Sequence, residues 1–263
     1  RSDPYRLVPE LLMILLLSAV TQESTHLRAR LHNPVSYTCG PVEYHCGSLG
    51  AHEVGIAATG IGAANAAGSC AILLQRLKPR AVIVCGCGGA YHGSGLKVGD
   101  LALARAEIYA DAGAITPNGF LSMRELKLPL LHHKHTSYFN RFPVCESLTE
   151  DAALKMGEFA AQNGCALAQG AFVTVATCSG TDARATAVET ATTGICENME
   201  GAAVAQMCCM FDTPFVEIRA ISNMVEARNM AHWDLPGAML RAQEALLYWL
   251  CNSDAETITP QEI

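Results

Sequence analysis

The sequence is poor in charge and in aromatic rings: of 263 residues, 16% are Asp, Glu, Lys or Arg and 6% are Phe, Trp or Tyr. Half of the chain is hydrophobic, so it can bury one large core, and it lacks the polar, charge-rich composition of a disordered chain. It has no basic run and a net charge of -7, which argues against nucleic acid or an anionic membrane as the main partner and points to a small molecule. No CxxC pair completes a zinc site, and no GxSxG announces a serine nucleophile. The apolar run Leu11–Leu17 is far shorter than the ~20 residues that span a bilayer. Behind its arginine-bearing head that run superficially resembles a signal peptide. MILLLSAV, from Met13, reads better as a buried first strand, which makes residues 1–12 a removable upstream extension.

Twelve cysteines are present, and most stand inside apolar segments, where a reduced thiol behaves as a small hydrophobe. We expect a reducing cytosol. Cys85-x-Cys87 and Cys208-Cys209 read as core pairs, with metal or redox use as the alternative. His132, His133 and His135 lack a downstream Asp, Glu or Cys at ligand spacing and read as a solvated or interfacial loop. No metal and no cofactor is expected.

Short apolar runs recur at Met13–Val20, Val54–Thr59, Ala81–Cys85, Leu101–Ala106, Ala171–Ala176 and Pro214–Ile221. Helical patterns lie between several of them, at Ala63–Leu77, Thr149–Asn163, Ala183–Thr190 and Gly201–Phe211, and a last one, Pro236–Leu250, puts Met239, Ala242, Leu246 and Trp249 on one stripe. The alternation predicts a single α/β domain over residues 13–252, with a mixed, largely parallel central sheet flanked by helices in three layers and with 253–263 as a second terminal extension. Tyr109–Pro143 lacks steady periodicity and is the candidate for a functional excursion or an oligomer contact.

The motifs fall at strand ends, where such folds bind ligands. TGIGAANAAG (59–68) follows a strand and opens a helix; its glycines suit an anion or sugar at the helix N-terminus, or a tight turn with no ligand. A dinucleotide fingerprint would want a third Gly where Asn65 stands and an acid at the end of the next strand, which ends in glycine. CGCGGAY (85–91) follows a strand and would admit either a flat ligand against the backbone or close helix–strand packing. Glu200, opening an Ala-rich helix, reads as a dipole-favoured acid or as a bidentate acceptor for two adjacent hydroxyls. Glu23, just beyond the first strand, invites the same two readings, as first-turn acid or catalytic base.

Taken in order, AVTQE, TGIGAANAA, CGCGGAY, NMEGAAVAQ and IRAISN resemble the purine nucleoside phosphorylase and nucleosidase family over roughly Met13–Leu250, on its methylthioadenosine/S-adenosylhomocysteine nucleosidase side. ATCSGT, NMEGAA and ISNMVEARN most resemble the futalosine hydrolase branch, which serves an alternative menaquinone pathway. The resemblance implies a nucleoside phosphorylase-like fold and a cytoplasmic homo-oligomer. It implies Glu23 as the base that activates water, Met199 and Glu200 under the ribose, and Arg219 and Ser222 as supporting residues. Cys87 and Gly88 would meet the sugar, Trp233 would cover the ligand, and Thr177, Cys178, Ser179 and Thr181 would line the base pocket.

Three departures from the family's patterns stand out, two from the nucleosidases and one from the phosphorylases. Asn223 occupies the place of the catalytic Asp, and Asn198 that of a further Glu. A carboxamide can donate to O6 of a 6-oxopurine and accept N7–H as the base leaves, so the expected products are hypoxanthine and a dehypoxanthinyl product. Hexameric phosphorylases carry an Arg before the glycine-rich stretch, where this chain reads AVIV with Val84. Water is therefore the expected nucleophile. Cleavage of inosine-like nucleosides by phosphate, or of methylthioadenosine by water, is the alternative. An anionic substrate tail would want Arg228, Arg124 or Arg141.

Overall fold

The computed structural model describes residues 13–254 and Ile258; the expected extension 1–12 lies outside the described residues. Strand β1 (Ile14–Ser18) is buried at every position, the reading of a strand covered on both faces. It pairs in parallel with β4 (His52–Ala58) on one side and β5 (Ala81–Ala90) on the other. Beyond β4 the sheet runs antiparallel through β3 (Val42–Leu49) to the edge strand β2 (His32–Cys39). The sequence reading missed these two: β2, HNPVSYTC, is mostly exposed, and its residues show no apolar alternation.

On its other side β5 pairs in parallel with β14 (Phe215–Met224). β14 runs antiparallel to the first half of β6 (Leu101–Tyr109), and β6 is parallel to β12 (Leu167–Thr174). β12 pairs in parallel with β13 (Gly194–Asn198), and β13 returns antiparallel to the end of β5. Strands β5, β14, β6, β12 and β13 thus close into a ring. The CGCGGAY segment does not follow a strand, as the sequence suggested; all of it except Tyr91 lies within β5, which reaches Ala90.

The period-two alternation of β1 sorts its side chains to two faces. Ile14 and Leu16 join one apolar cluster with Leu27 of α1 (Thr25–Ala29), while Leu15 and Leu17 join another with Leu73 of α2 (Ala63–Leu77). The 109–143 excursion is built of strand pairs, β7 (Gly113–Thr116) with β8 (Gly119–Ser122) and β9 (Leu131–His133) with β10 (Thr136–Tyr138), before β11 (Arg141–Pro143) joins the edge of β6. Of its histidines, His132 meets Ser137 and His133 meets Asp212.

Helix α3 (Glu146–Asn163) packs on the first face beside the last helix, together with β6 and β12. Helix α4 (Asp182–Thr192) borders β13, and α5 (Gly201–Met210) lies against α2 on the second face. The last helix, α6 (Leu235–Cys251), starts at Asp234, whose side chain accepts the Gly237 N–H, with Pro236 in the first turn. Its stripe is Ala242, Leu246 and Trp249; Met239, expected on it, faces the cavity described below instead. Packing continues past the expected boundary at 252: the Ser253 carbonyl meets the His52 ring at 3.1 Å, and Ile258 is buried in the core.

Candidate active site

The carboxyl ends of β1, β5, β13 and β14 surround a cavity of about 310 Å³. Of the residues expected at the site, Glu23, Cys87, Gly88, Cys178, Met199, Glu200, Arg219, Ser222, Asn223 and Trp233 all line it. Thr177 does not: it is exposed, its amide donates to Asp111, and its carbonyl accepts from Arg184. Thr181 also stays outside, capping α4 by accepting the Arg184 N–H. Cys178 and Ser179 reach the cavity.

Glu23 is buried in a short 3₁₀ turn, Thr21–Glu23, that leaves β1. Its Oε2 accepts N–H groups from Ala19 and Val20 at 3.0 and 3.3 Å, and its Oε1 accepts the Cys87 N–H at 2.9 Å and the Cys87 thiol at 3.4 Å. Every partner is a donor, so the group serves as an acceptor. Burial and the neighbouring Glu23 push the Cys87 thiol up to about 12, which keeps it protonated and removes it as a nucleophile.

Glu200 stands at the N-cap of α5. Its Oε1 accepts the Gly62 N–H at 2.9 Å, and its Oε2 lies 3.5 Å from Arg219 Nη2. This is the use of the TGIG turn: Gly60 and Gly62, both with φ near +90°, bring a backbone donor onto the acid. Arg219 is buried, donates from Nε to Glu217 at 2.7 Å and from Nη1 to the Cys87 carbonyl at 3.0 Å. Burial opposes its charge, but Glu217, Glu200 and Glu23 outweigh that and hold it well above its usual range.

The small residues of β5 make room for side chains. A methyl group on Gly86 would sit 2.5 Å from Glu23 Oε1 and 2.8 Å from Arg219 Nη1, and one on Gly88 would meet the Cys196 sulfur at 2.5 Å. Glu23, Arg219 and Cys196 therefore pack closer to β5 than any larger residue there permits.

At the far end of β14 the register shifts between Ile221 and Asn223, leaving Ser222 as an extra residue. Ser222 and Asn223 consequently both line the cavity. Ser222 Oγ donates to Asn223 Oδ1 at 2.8 Å, and Asn223 Nδ2 donates to the Met224 carbonyl at 2.9 Å. Turning the amide over would set its oxygen against that carbonyl, so the network fixes its orientation. One N–H and one lone pair of Asn223 stay free for a ligand.

Glu197 was missed by the sequence reading. It lines the cavity and accepts from Tyr91 Oη at 2.8 Å, Ser179 N at 2.8 Å and Ser179 Oγ at 2.6 Å, pinning the 178–180 segment to β13. An acid next to Asn198 at the end of the strand GICEN was its signal. Asn198, where a further Glu was in question, accepts from the Glu200 and Gly201 amides and so braces the start of α5. At the mouth the Arg228 guanidinium stacks 4.8 Å from the Trp233 ring. Of the three arginines considered for an anionic tail, Arg228 lines the cavity; Arg124 lies over Phe139, and Arg141 sits on β11.

Residues 14–248 match the profile of the Phosphorylase superfamily. A futalosine hydrolase of Thermus thermophilus is 35% identical over 195 residues, 72% of this chain and 79% of that protein. A 5′-methylthioadenosine/S-adenosylhomocysteine nucleosidase of Bacillus subtilis is 29% identical over 234 residues, 88% of this chain and 95% of that one. In fold the chain is similar to the corresponding nucleosidase of Neisseria meningitidis, with a TM-score of 0.79 and 24% identity over 92% of this chain and all of that one.

Proposed function

The chain belongs to the Phosphorylase superfamily, and from that premise we propose that it is a nucleosidase, an N-glycosyl hydrolase, whose substrate is futalosine and whose released base is hypoxanthine, a step of menaquinone biosynthesis. The observation that carries the choice of base is the neutral amide of Asn223, held so that one N–H and one lone pair remain available. A 6-oxopurine presents O6 to such a donor and, once its N7 has taken a proton, N7–H to such an acceptor. Both bonds strengthen as charge builds on the leaving base, which makes them transition-state interactions.

The sugar end supports hydrolysis. Glu200 offers its buried carboxylate to the 2′- and 3′-hydroxyls above Met199. Glu23 takes a proton from the water that adds to C1′ as the N-glycosidic bond breaks and its electron pair leaves with the base. The Cys87 thiol, at 3.4 Å the longest of the four contacts to Glu23, is the one that water displaces. The cations lining the cavity are Arg219, neutralised by Glu217, and Arg228 at the mouth, and Val84 is a buried core residue. That leaves phosphate without a buried counter-charge.

The test is to incubate the protein with futalosine, inosine and methylthioadenosine, with and without phosphate, and to identify the base released. Hypoxanthine from futalosine at a rate indifferent to phosphate is expected. Faster release of adenine, or a requirement for phosphate, overturns the assignment.

A further inference from the structure

Beneath the cavity lie two acids that the proposed reaction does not use. Glu107 on β6 and Glu217 on β14 are both fully buried, and they meet under the first turn of α5. A methyl group on Gly201 would collide with an oxygen of each. Glu107 accepts from Thr174 Oγ1 at 2.7 Å and from Asn198 Nδ2 at 2.9 Å. Glu217 Oε1 accepts from Arg219 Nε, but Oε2, which faces Glu107, is buried with no donor. Two ionised carboxylates face to face in a dry site repel strongly, and an unmatched buried oxygen is costly. One proton removes both faults.

We propose that Glu107 and Glu217 share a single proton, carried by Glu107 and donated to Glu217, and that the one negative charge left on Glu217 positions Arg219 and damps its pull on Glu23 and Glu200. Around the pair stand Arg219 from β14, Tyr109 from β6, Cys196 from β13, Cys85 from β5 and Glu200 from the start of α5, while Cys87 from β5 and Glu23 from the turn after β1 face it across Arg219. Arg219 is the only cation among them. Burial, and then the charge of Glu217, raise Glu107 well above the ordinary glutamate range, in keeping with the neutral member being Glu107. The thiols are raised as well and stay neutral.

The pair thereby makes Glu107 and Glu217 positioning residues. With Glu217 charged, the Arg219 fork is held by its Nε and reaches the Cys87 carbonyl, on the same residue whose N–H Glu23 accepts. Were Glu217 neutral and Glu107 unable to ionise, the full guanidinium charge would act on Glu23 and Glu200 and make the base weaker.

The consequence for catalysis rests on the reading of Glu23 as base; the proton count does not, and the two are measured separately. Infrared spectra at mildly alkaline pH should show the C=O stretch of a protonated carboxylic acid in the wild type and not in Glu107→Gln. Its absence from the wild type overturns the proposal whatever the enzyme's substrate. In kinetics, Glu107→Gln keeps the charge on Glu217 and should leave the acid limb of the kcat/KM–pH profile in place. Glu107→Gln combined with Glu217→Gln removes the charge and should move that limb down by about one pH unit. An equal shift in the single and double variants, or none in the double variant with its circular dichroism and Tm retained, also overturns it. A protonated-acid band alongside no turnover of any nucleoside would sink the functional reading and leave the proton pair standing.

Discussion

A carboxamide and a carboxylic acid differ at position 223 in what they can offer a base. The amide N–H that Asn223 gives to the Met224 carbonyl would become, in an aspartate, an oxygen set against that carbonyl. The acid must then carry a proton there or turn away, and either way it presents an acceptor where the amide presented a donor. Asn223→Asp should therefore raise the kcat/KM ratio of 6-amino over 6-oxo nucleosides by roughly 10–100-fold, the worth of one buried hydrogen bond made or lost. Steady-state rates on methylthioadenosine and futalosine measure this, and an unchanged ratio removes Asn223 from base selection. Glu23, Glu200 and Asn223 were legible because each sits in a motif that ends a strand. Glu107, Glu197 and Glu217 were not: each is one acid in a mostly apolar strand, the hydrogen-bond partners of Glu107 and Glu197 are 18 to 106 residues away in the chain, and Glu217, bonded to Arg219 two residues on, takes its meaning from Glu107 on the neighbouring β6.

At the scale of elements, β5 does two jobs along ten residues. Its first half is ordinary apolar core, and its second half is small so that side chains from β14 and from the turn after β1 can cross it. Gly86→Ala tests this, because its methyl group would drive into Glu23 and Arg219. We expect a loss of about 1–3 kcal/mol from overpacking and a fall in kcat larger than the fall in Tm would explain. Gly157→Ala in α3, where nothing lies within 4 Å of the added carbon, should instead stabilise by about 0.5–1 kcal/mol. Thermal melts of the two variants separate a crowded glycine from a merely flexible one. Helix α2 was readable to its ends from its periodicity, the glycines before it and Pro79 after it, whereas β13 was sensed as a strand before Glu200 but given no bounds. Five residues between a helix and a helix cap carry too little pattern, and what makes them a strand is pairing with β12 and β5.

For the whole molecule, burying a protonated Glu107 sets a direction for stability against pH. Its folded pKa lies above its unfolded value, so the native state binds more protons than the unfolded chain once pH exceeds the ordinary glutamate range. Stability from this source is full below that range and is lost as pH rises toward the folded pKa. Denaturant melts at a series of pH values should show this decline in the wild type and a flatter profile in Glu107→Gln; a wild type that gains stability over the same interval contradicts it. The α/β class and the parallel centre of the sheet followed from alternating apolar runs and helices. The closure of five strands into a ring did not, since local periodicity carries no record of which distant strands are neighbours.

The spare residue at Ser222 has a further consequence. Without it, neighbours 222 and 223 would point to opposite faces of the sheet; with it, the strand keeps its pairing to β5 on both sides of the irregularity while two adjacent side chains turn the same way. The scaffold and the selector are thus mechanically independent. One side chain can be exchanged at the rim, and the preference for one nucleobase over another altered, without any strand having to be laid down anew.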